Sequence, residues 1–158
     1  MTPAVLALEE AQQSFRKIEY EYGSQGVAYG EEAAAELGVD PSQVFKTLLA
    51  ELHDGEVVVS IVPVVSLLDL KALAKVTGSR KAVMAETSVA ERRTGYVIGG
   101  ISPFGQTRRH RTFVDVSACN FEEIYVSGGK RGFEVVVSPN SFEHVLGATY
   151  APLTGRTI

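Results

Sequence analysis

Apolar and polar positions along this 158-residue chain repeat with the periods of short helices and strands. Helical spacing predicts a first helix over residues 5–15, and residues 17–22 alternate like a strand with Ile18, Tyr20 and Tyr22 on one side. The segment EEAAAELG, residues 31–38, predicts a second helix, because carboxylates occupy its first turn and a glycine follows its end.

Two apolar runs then flank a strong turn signal. Residues 44–52 are followed by His53-Asp54-Gly55-Glu56 and by the run VVVSIVPV, residues 57–64. Because Asp-Gly is typical of tight hairpin turns, this pattern predicts two antiparallel strands. Their apolar character places the pair centrally in a sheet.

The second half mixes helices and strands irregularly. A helix is expected from about Asp69 to Gly78, and another, in SVAERRTG, ends at Gly95. The remaining patterns predict a short strand near RKAVM, a strand and then a glycine-rich loop in YVIGGISPFG, two strands around the GGKRG turn, and a last helix starting at Ser138 and Pro139. Because helices punctuate the strands without alternating one for one, the predicted fold class is α+β with a mixed sheet.

Composition supports one domain over residues 1–158, since 45% of the residues are hydrophobic and a chain of this length buries about 70% of its unfolded surface. No apolar stretch reaches the roughly 20 residues that span a bilayer, so we expect no membrane segment and a cytoplasmic location. A single cysteine excludes an internal disulfide, and the histidines at 53, 110 and 144 lack metal-ligand spacing. We therefore expect no metal site.

Positive charge is gathered locally although the formal net charge is −4. The cations cluster in QTRRHRT, in GGKRG and just before Gly95, as Arg108, Arg109, Arg111, Lys130, Arg131, Arg92 and Arg93. Such loops can hold a phosphate backbone at one face of an acidic protein, or they can be ordinary solvated loops.

One lysine lies inside an apolar strand. Lys46 shares a predicted strand face with Val44, Leu48 and Ala50. Burying an unpaired ammonium costs several kcal/mol, so the side chain must reach water along its stem, find an anion or line a cavity. The strand alone leaves the structural and the functional interpretation open.

The glycine-rich segment GGISPFG, residues 99–105, suits either a plain turn or a loop that brings backbone amides close to a ligand. It lacks the Gly-Lys-Ser/Thr ending of a phosphate loop. No nucleophile is evident, since Ser127 has no histidine near it in sequence and Cys119 lies in the ordinary stretch VSACNF.

Four motifs in order, VFKTLL, LDLKALAK, ERRTGYVIGGISPFGQ and IYVSGGKRG, cover nearly the whole chain. Together they resemble the YbaK-type aminoacyl-tRNA deacylases, in particular the free-standing cysteinyl-tRNA(Pro) deacylases. The resemblance implies a compact fold with a mixed, mostly antiparallel or barrel-like sheet and flanking helices. It also implies hydrolysis of cysteine mischarged onto tRNA(Pro), with tRNA and prolyl-tRNA synthetase as partners and no cofactor.

Carried over by motif, the resemblance also implies a set of site residues. The catalytic positions are Lys46, Gly99, Gly100 and Ser127, and the substrate-binding positions are Tyr20, Tyr29, Thr47 and Glu134. The implied mechanism is substrate-assisted: the cysteine thiol attacks its own ester, and the protein positions it and stabilises charge. Two alternatives stay open, a deacylase for another misacylated tRNA such as Ala-tRNA(Pro), and a module that binds tRNA or a synthetase without catalysis.

Overall fold

The computed structural model describes residues 1–21 and 29–157, with side chains described at 1–21 and 31–155. The described helices are α1 (Pro3–Glu10), α2 (Tyr29–Leu37), α3 (Leu70–Thr77), α4 (Thr87–Thr94) and α5 (Asn140–Leu146). The described strands are β1 (Phe15–Glu19), β2 (Phe45–Leu52), β3 (Val57–Pro63), β4 (Ser66–Leu68), β5 (Ala82–Met84), β6 (Thr112–Asp115), β7 (Ile124–Lys130), β8 (Phe133–Val137), β9 (Thr149–Ala151) and β10 (Thr154–Thr157). Within these ranges no helix has the length and hydrophobicity needed to cross a membrane.

A five-stranded mixed sheet forms the centre, in the order β5-β2-β3-β6-β9. β2 and β3 are the predicted antiparallel hairpin, with Phe45 opposite Pro63 and Glu51 opposite Val57. Their turn contains Gly55 at φ +92°, a left-handed conformation that glycine adopts without a Cβ clash. β6 joins β3 and β9 in parallel, and every residue of β3 is buried, which confirms the central position of the pair.

Two smaller sheets complete the fold. β8 pairs antiparallel with both β1 and β7, and β4 pairs with β10. A single parallel bridge between Val44 and Tyr125 links the central sheet to the β1-β8-β7 sheet. The described sheets do not close into a barrel, so the open mixed-sheet form of the predicted α+β fold is the one observed.

Each face of the central sheet packs against different helices. On one face, the largest cluster joins Ile61 and Val114 to Val126 of the second sheet and to α1 and α4. On the other face, α3 places Leu73 and Ala74 against the even-numbered residues of β2. α3 begins and ends as predicted. The Asp69 carboxylate accepts two backbone N–H bonds at its start, and Gly78 follows its last residue in a left-handed conformation.

The predicted helix over 5–15 is wrong in its extent. The observed helix is Pro3–Glu10, which the side-chain oxygen of Thr2 caps at its start. Gln12 takes φ +57° and turns the chain back, so that Phe15 begins β1. Phe15, which completed the predicted helical spacing, therefore belongs to a strand.

Two predicted strands also differ. The strand over 17–22 is observed as Phe15–Glu19, and Tyr22 lies outside the described residues. No strand forms after Gly95, because Tyr96 is buried and donates its hydroxyl hydrogen bond to Phe104 O at 2.6 Å. The sequence pattern did not predict four of the short strands, which are β4, β6, β9 and β10.

Candidate active site

A cavity of about 220 Å³ opens beside β2. The outer edge of β2 is bridged to β7 only at Val44 and pairs with β5 only over residues 50–52. Between these points, residues 45–49 have no strand partner on that edge within the described ranges. The cavity occupies this gap, and six of the predicted site residues line it: Tyr20, Lys46, Thr47, Gly99, Ser127 and Glu134.

Lys46 projects into this cavity and is half-buried. None of the described carboxylates pairs with its ammonium within 4 Å, the described ion pairs being Arg16–Glu123, Arg111–Glu56 and Arg131–Glu32. Burial lowers the pKa of Lys46, and the more distant charge of Glu31 opposes that change. The ammonium is therefore held partly desolvated and available to an anionic or electron-rich ligand.

Thr47 offers an unused hydrogen-bonding group. Its Oγ1 is buried and has no partner among the described residues. Leu49 O accepts a bond from Ala85 N at the outer edge of β2. Because alternate residues of a strand direct their peptide groups to the same edge, the N–H and C=O of Thr47 also face the gap. Unsatisfied buried polar atoms are uncommon, and here they point to a bound ligand.

The glycine-rich loop supplies one free amide. Gly99 lies at φ +88°, and no described group accepts a hydrogen bond from its N–H. Gly100 donates its N–H to Val97 O at 2.9 Å, and a Cβ on Gly100 would lie 2.6 Å from the Cα of Lys130. Gly99 can thus bind a ligand through its amide, whereas Gly100 permits close packing on the GGKRG turn.

Ser127 and Glu134 face each other across β7 and β8. Ser127 Oγ accepts the Gly129 N–H at 3.2 Å, which leaves the hydroxyl proton free to be donated. Glu134 is 6% exposed, and its burial raises the pKa of the carboxyl group to about 8. Burial, followed by the neighbouring Glu134 charge, raises the pKa of Tyr20 to about 12. Near neutral pH both groups are mainly protonated.

The apolar walls of the cavity were missed by sequence reasoning. They are Phe45, Leu48, Ile98 and Ile101. In the sequence, these apolar residues cannot be told apart from ordinary core residues. Tyr29 begins α2, but its side chain lies outside the described residues.

Glu91 was missed as well. Its Oε2 accepts the Ile98 N–H at 2.8 Å and thereby fixes the turn that carries Gly99. Glu91 lies within the motif ERRTG, yet a carboxylate on a helix gives no sign in the sequence of a partner seven residues away.

The predicted basic residues are dispersed. Arg108 and Arg109 are exposed. Arg111 makes two bonds of 2.8 Å to Glu56, next to the β2–β3 turn. That turn lies about six residues of β2 from Lys46, or roughly 20 Å along a strand. Arg111 therefore lies at the opposite end of β2 from Lys46.

The two cations of the GGKRG turn have intramolecular contacts. Arg131 forms an ion pair with the buried Glu32 of α2 at 3.1 Å, and the Lys130 ammonium lies 5.7 Å from the centroid of the Phe133 ring. Arg131 thus joins α2 to the turn. Among the described side chains, no three His, Cys, Asp or Glu residues cluster as a metal site would require.

Comparison with known proteins gives consistent matches. A family model described as an aminoacyl-tRNA editing domain matches residues 25–144. A protein of Enterococcus faecalis named "Putative Cys-tRNA(Pro)/Cys-tRNA(Cys) deacylase EbsC" is 30% identical over 155 residues, which cover 98% of this chain and 94% of that protein.

Solved structures share the fold. The "Crystal structure of a putative trans-editing enzyme for prolyl tRNA synthetase" matches with a TM-score of 0.84 and 22% identity, over 98% of this chain and 96% of that one. The hypothetical protein APE2540 matches with a TM-score of 0.86 and 22% identity, over 97% of this chain and 99% of that one.

Proposed function

Since this chain belongs to the family of aminoacyl-tRNA editing domains, we propose that it hydrolyses cysteine mischarged onto tRNA(Pro), with the substrate's own thiol as nucleophile. The name of the E. faecalis relative supports cysteine as the amino acid. Proline and cysteine are similar in size, so a synthetase pocket separates them only modestly and a second hydrolytic step is useful.

The observation that carries the mechanism is a cavity with binding groups and no activated nucleophile. Among the described residues, its polar lining consists of Tyr20, Lys46, Thr47, Gly99, Ser127 and Glu134, with no histidine and no cysteine. Lys46 is the one side-chain nitrogen in this lining, and as an ammonium it cannot accept a proton from the Thr47 or Ser127 hydroxyl. Cys119 is exposed elsewhere. The attacking atom is thus best supplied by the substrate.

In the proposed reaction, the cysteine sulfur attacks the ester carbonyl carbon. A C–S bond forms, the C–O bond to the terminal ribose breaks, and the thiol proton passes to the leaving ribose oxygen. The products are deacylated tRNA and a four-membered thiolactone, which water then opens to cysteine. Lys46 and the Gly99 amide stabilise the negative charge that develops on the two oxygens.

The remaining polar groups hold the amino acid. The Ser127 hydroxyl oxygen and the carbonyl oxygen of the protonated Glu134 carboxyl accept hydrogen bonds from the α-ammonium group, and Thr47 binds the ester end through its hydroxyl and peptide groups. The cavity of about 220 Å³ lies below the roughly 300–1,000 Å³ of pockets for drug-sized ligands, which favours a small aminoacyl group. The proposed partners are the aminoacylated acceptor end of tRNA and prolyl-tRNA synthetase.

The test compares Cys-tRNA(Pro) with Ser-tRNA(Pro), substrates that differ by one atom. We expect hydrolysis of the seryl ester to be at least 10²-fold slower, because the hydroxyl is a much weaker nucleophile than a thiol. The Cys119→Ser variant should retain the activity of the parent. Equal rates on both substrates together with an inactive Cys119→Ser variant would instead indicate an enzyme thiol.

Two alternatives give different results in the same assay. A deacylase for another substrate hydrolyses Ala-tRNA(Pro) faster than Cys-tRNA(Pro). A non-catalytic binding module leaves every ester at its spontaneous rate. The unpartnered Thr47 hydroxyl and the partly desolvated Lys46 favour catalysis over simple binding.

A further inference from the structure

A second groove, beside α3, gathers four cationic side chains. It measures about 470 Å³ and is lined by Lys71 and Lys75 of α3, by Arg80 and Lys81 after it, and by small or apolar residues. None of the described carboxylates lines it. None of the four cations takes part in the ion pairs found in the described part of the chain. In a protein of formal charge −4, this is a concentrated and uncompensated positive surface.

The arrangement of the cations is fixed by the backbone. After Gly78 turns the chain, Ser79 Oγ accepts the His53 N–H and donates to Lys81 O. Lys81 O in turn accepts from His53 N, and this fastens the turn to the end of β2. The Asp69 carboxylate, at the other end of α3, is occupied by backbone N–H groups. The four cations therefore stand on a rigid surface.

The groove and Lys46 lie on the same face of the central sheet. α3 packs on the face of β2 that carries Leu48, Ala50 and Leu52. Lys46, two residues before Leu48, projects from the same face of the strand. Ala82, which lines the groove, pairs with Leu52. Lys46 and Leu52 are six residues apart, or about 20 Å along a strand at roughly 3.3 Å per residue. A short single-stranded nucleic acid end can bridge this distance.

We propose that the Lys71–Lys75–Arg80–Lys81 groove binds backbone phosphates of the tRNA acceptor arm while the aminoacyl end enters the cavity. This inference rests on the proposed function. Four cations without a described carboxylate partner suit a polyanion, because each phosphate contact releases condensed counterions. The mixed lysine and arginine composition and the absence of a stacking aromatic favour backbone contacts over base recognition.

The experiment measures binding of uncharged tRNA by fluorescence anisotropy across a range of salt concentrations, for the parent and for Lys71→Ala/Lys75→Ala and Arg80→Ala/Lys81→Ala. We expect each double variant to weaken binding at least tenfold at low salt and to flatten the log-log salt slope by about two, roughly one per contact. Lys17→Ala is the matched control, since Lys17 lies on the β1-β8-β7 sheet in a separate depression and should change neither quantity. Thermal melts establish that all variants are folded.

A deacylation assay separates this inference from the proposed function. On Cys-tRNA(Pro) the double variants should lose at least tenfold in kcat/KM, whereas on 3′-cysteinyl-adenosine, which has no phosphate backbone, they should match the parent. A parent that hydrolyses neither ester refutes the proposed function, while the anisotropy result still decides the groove. Unchanged tRNA affinity and salt slope in both double variants overturn the groove proposal, and lost binding to prolyl-tRNA synthetase in those same variants would assign the surface to a protein partner.

Discussion

Lys46 lies in an apolar strand, is partly buried and has no close carboxylate in the described structure. Each of these three conditions is unfavourable for a charged group. An ammonium whose role was only to reach solvent would not remain inside a lined cavity. The burial of this ammonium therefore carries a free-energy cost that the negative charge of a ligand would offset.

Replacing Lys46 by alanine tests this interpretation. We expect kcat/KM to fall by roughly 10²-fold or more, the scale of removing one preorganised electrostatic donor. The melting temperature should stay equal or rise, because a partly desolvated charge is removed. Lys46→Arg should not restore activity, since the guanidinium is longer and wider than an ammonium. A folded alanine variant with parental activity would contradict the assignment.

Glu134 gives a prediction for stability against pH. Burial raises the pKa of its carboxyl group from 4.5 to about 8, so between these values the folded protein keeps a proton that the unfolded chain has lost. The contribution of Glu134 to the unfolding free energy is then greatest below about pH 4.5 and falls as pH rises, by at most roughly 1.4 kcal/mol per pH unit, until the folded group ionises near pH 8.

The Glu134→Gln variant lacks this dependence. Its melting temperature relative to the parent should rise steadily from pH 5 to pH 8 and then level off. Glu122→Gln, at an exposed position, serves as the control and should follow the parent throughout. Parallel melting curves for Glu134→Gln and the parent would contradict the buried, protonated state.

Single residues also show where sequence reasoning stops. Lys46 could be recognised because a charge interrupts an apolar pattern within eight residues. The ion pairs of Arg111 with Glu56 and of Arg131 with Glu32 could not, since their partners lie 55 and 99 residues away. Sequence alone likewise gives no sign that Thr47 keeps an unpartnered hydroxyl.

At the level of elements, α4 positions the loop that carries Gly99. Glu91 on this helix accepts the Ile98 N–H, and Val97 O accepts the Gly100 N–H, so the turn is held at both ends. Glu91 does not line the cavity, and we regard it as a positioning residue for the Gly99 amide.

Glu91→Ala should therefore lower kcat by about tenfold with little change in KM for tRNA, because misplaced donors lose transition-state stabilisation more than ground-state binding. Glu91→Gln keeps an acceptor oxygen and should recover most of the loss. Glu86→Ala, at the start of the same helix without a side-chain capping bond, is the control. Equal losses in kcat for the alanine and glutamine variants would argue against the positioning role.

Elements with a long pattern or a definite end signal were predictable. α3 has both an aspartate cap and a terminal glycine, and the β2–β3 hairpin has Asp54-Gly55 between two apolar runs. Strands of three or four residues, such as β4 and β9, have too few positions to show a period and exist because neighbouring strands pair with them. The segment after Gly95 looked like a strand, but the Tyr96 side chain is needed in the core.

Across the whole molecule, the cations divide into groups with different roles. Arg16, Arg111 and Arg131 pair with carboxylates, whereas none of the cations of the α3 groove pairs with a described carboxylate. The sequence drew attention to the arginine-rich loop because its charges are adjacent in the chain, and its contact with tRNA stays a prediction. The α3 groove gave no such signal, since it combines one helix face with the turn beyond it.

The unpaired edge of β2 has a consequence for how the protein avoids self-association. Exposed strand edges invite pairing with a second chain, and natural sheets prevent it with short edges, inward-pointing lysines and covering loops. Here the stretch without a strand partner on this edge ends before Leu49, which is bonded to Ala85; it contains Lys46 and is faced by the loop around Gly99. The ammonium that the proposed reaction needs is thus also a barrier to edge-to-edge aggregation, and the gap in the sheet can stay open to a substrate without recruiting another strand.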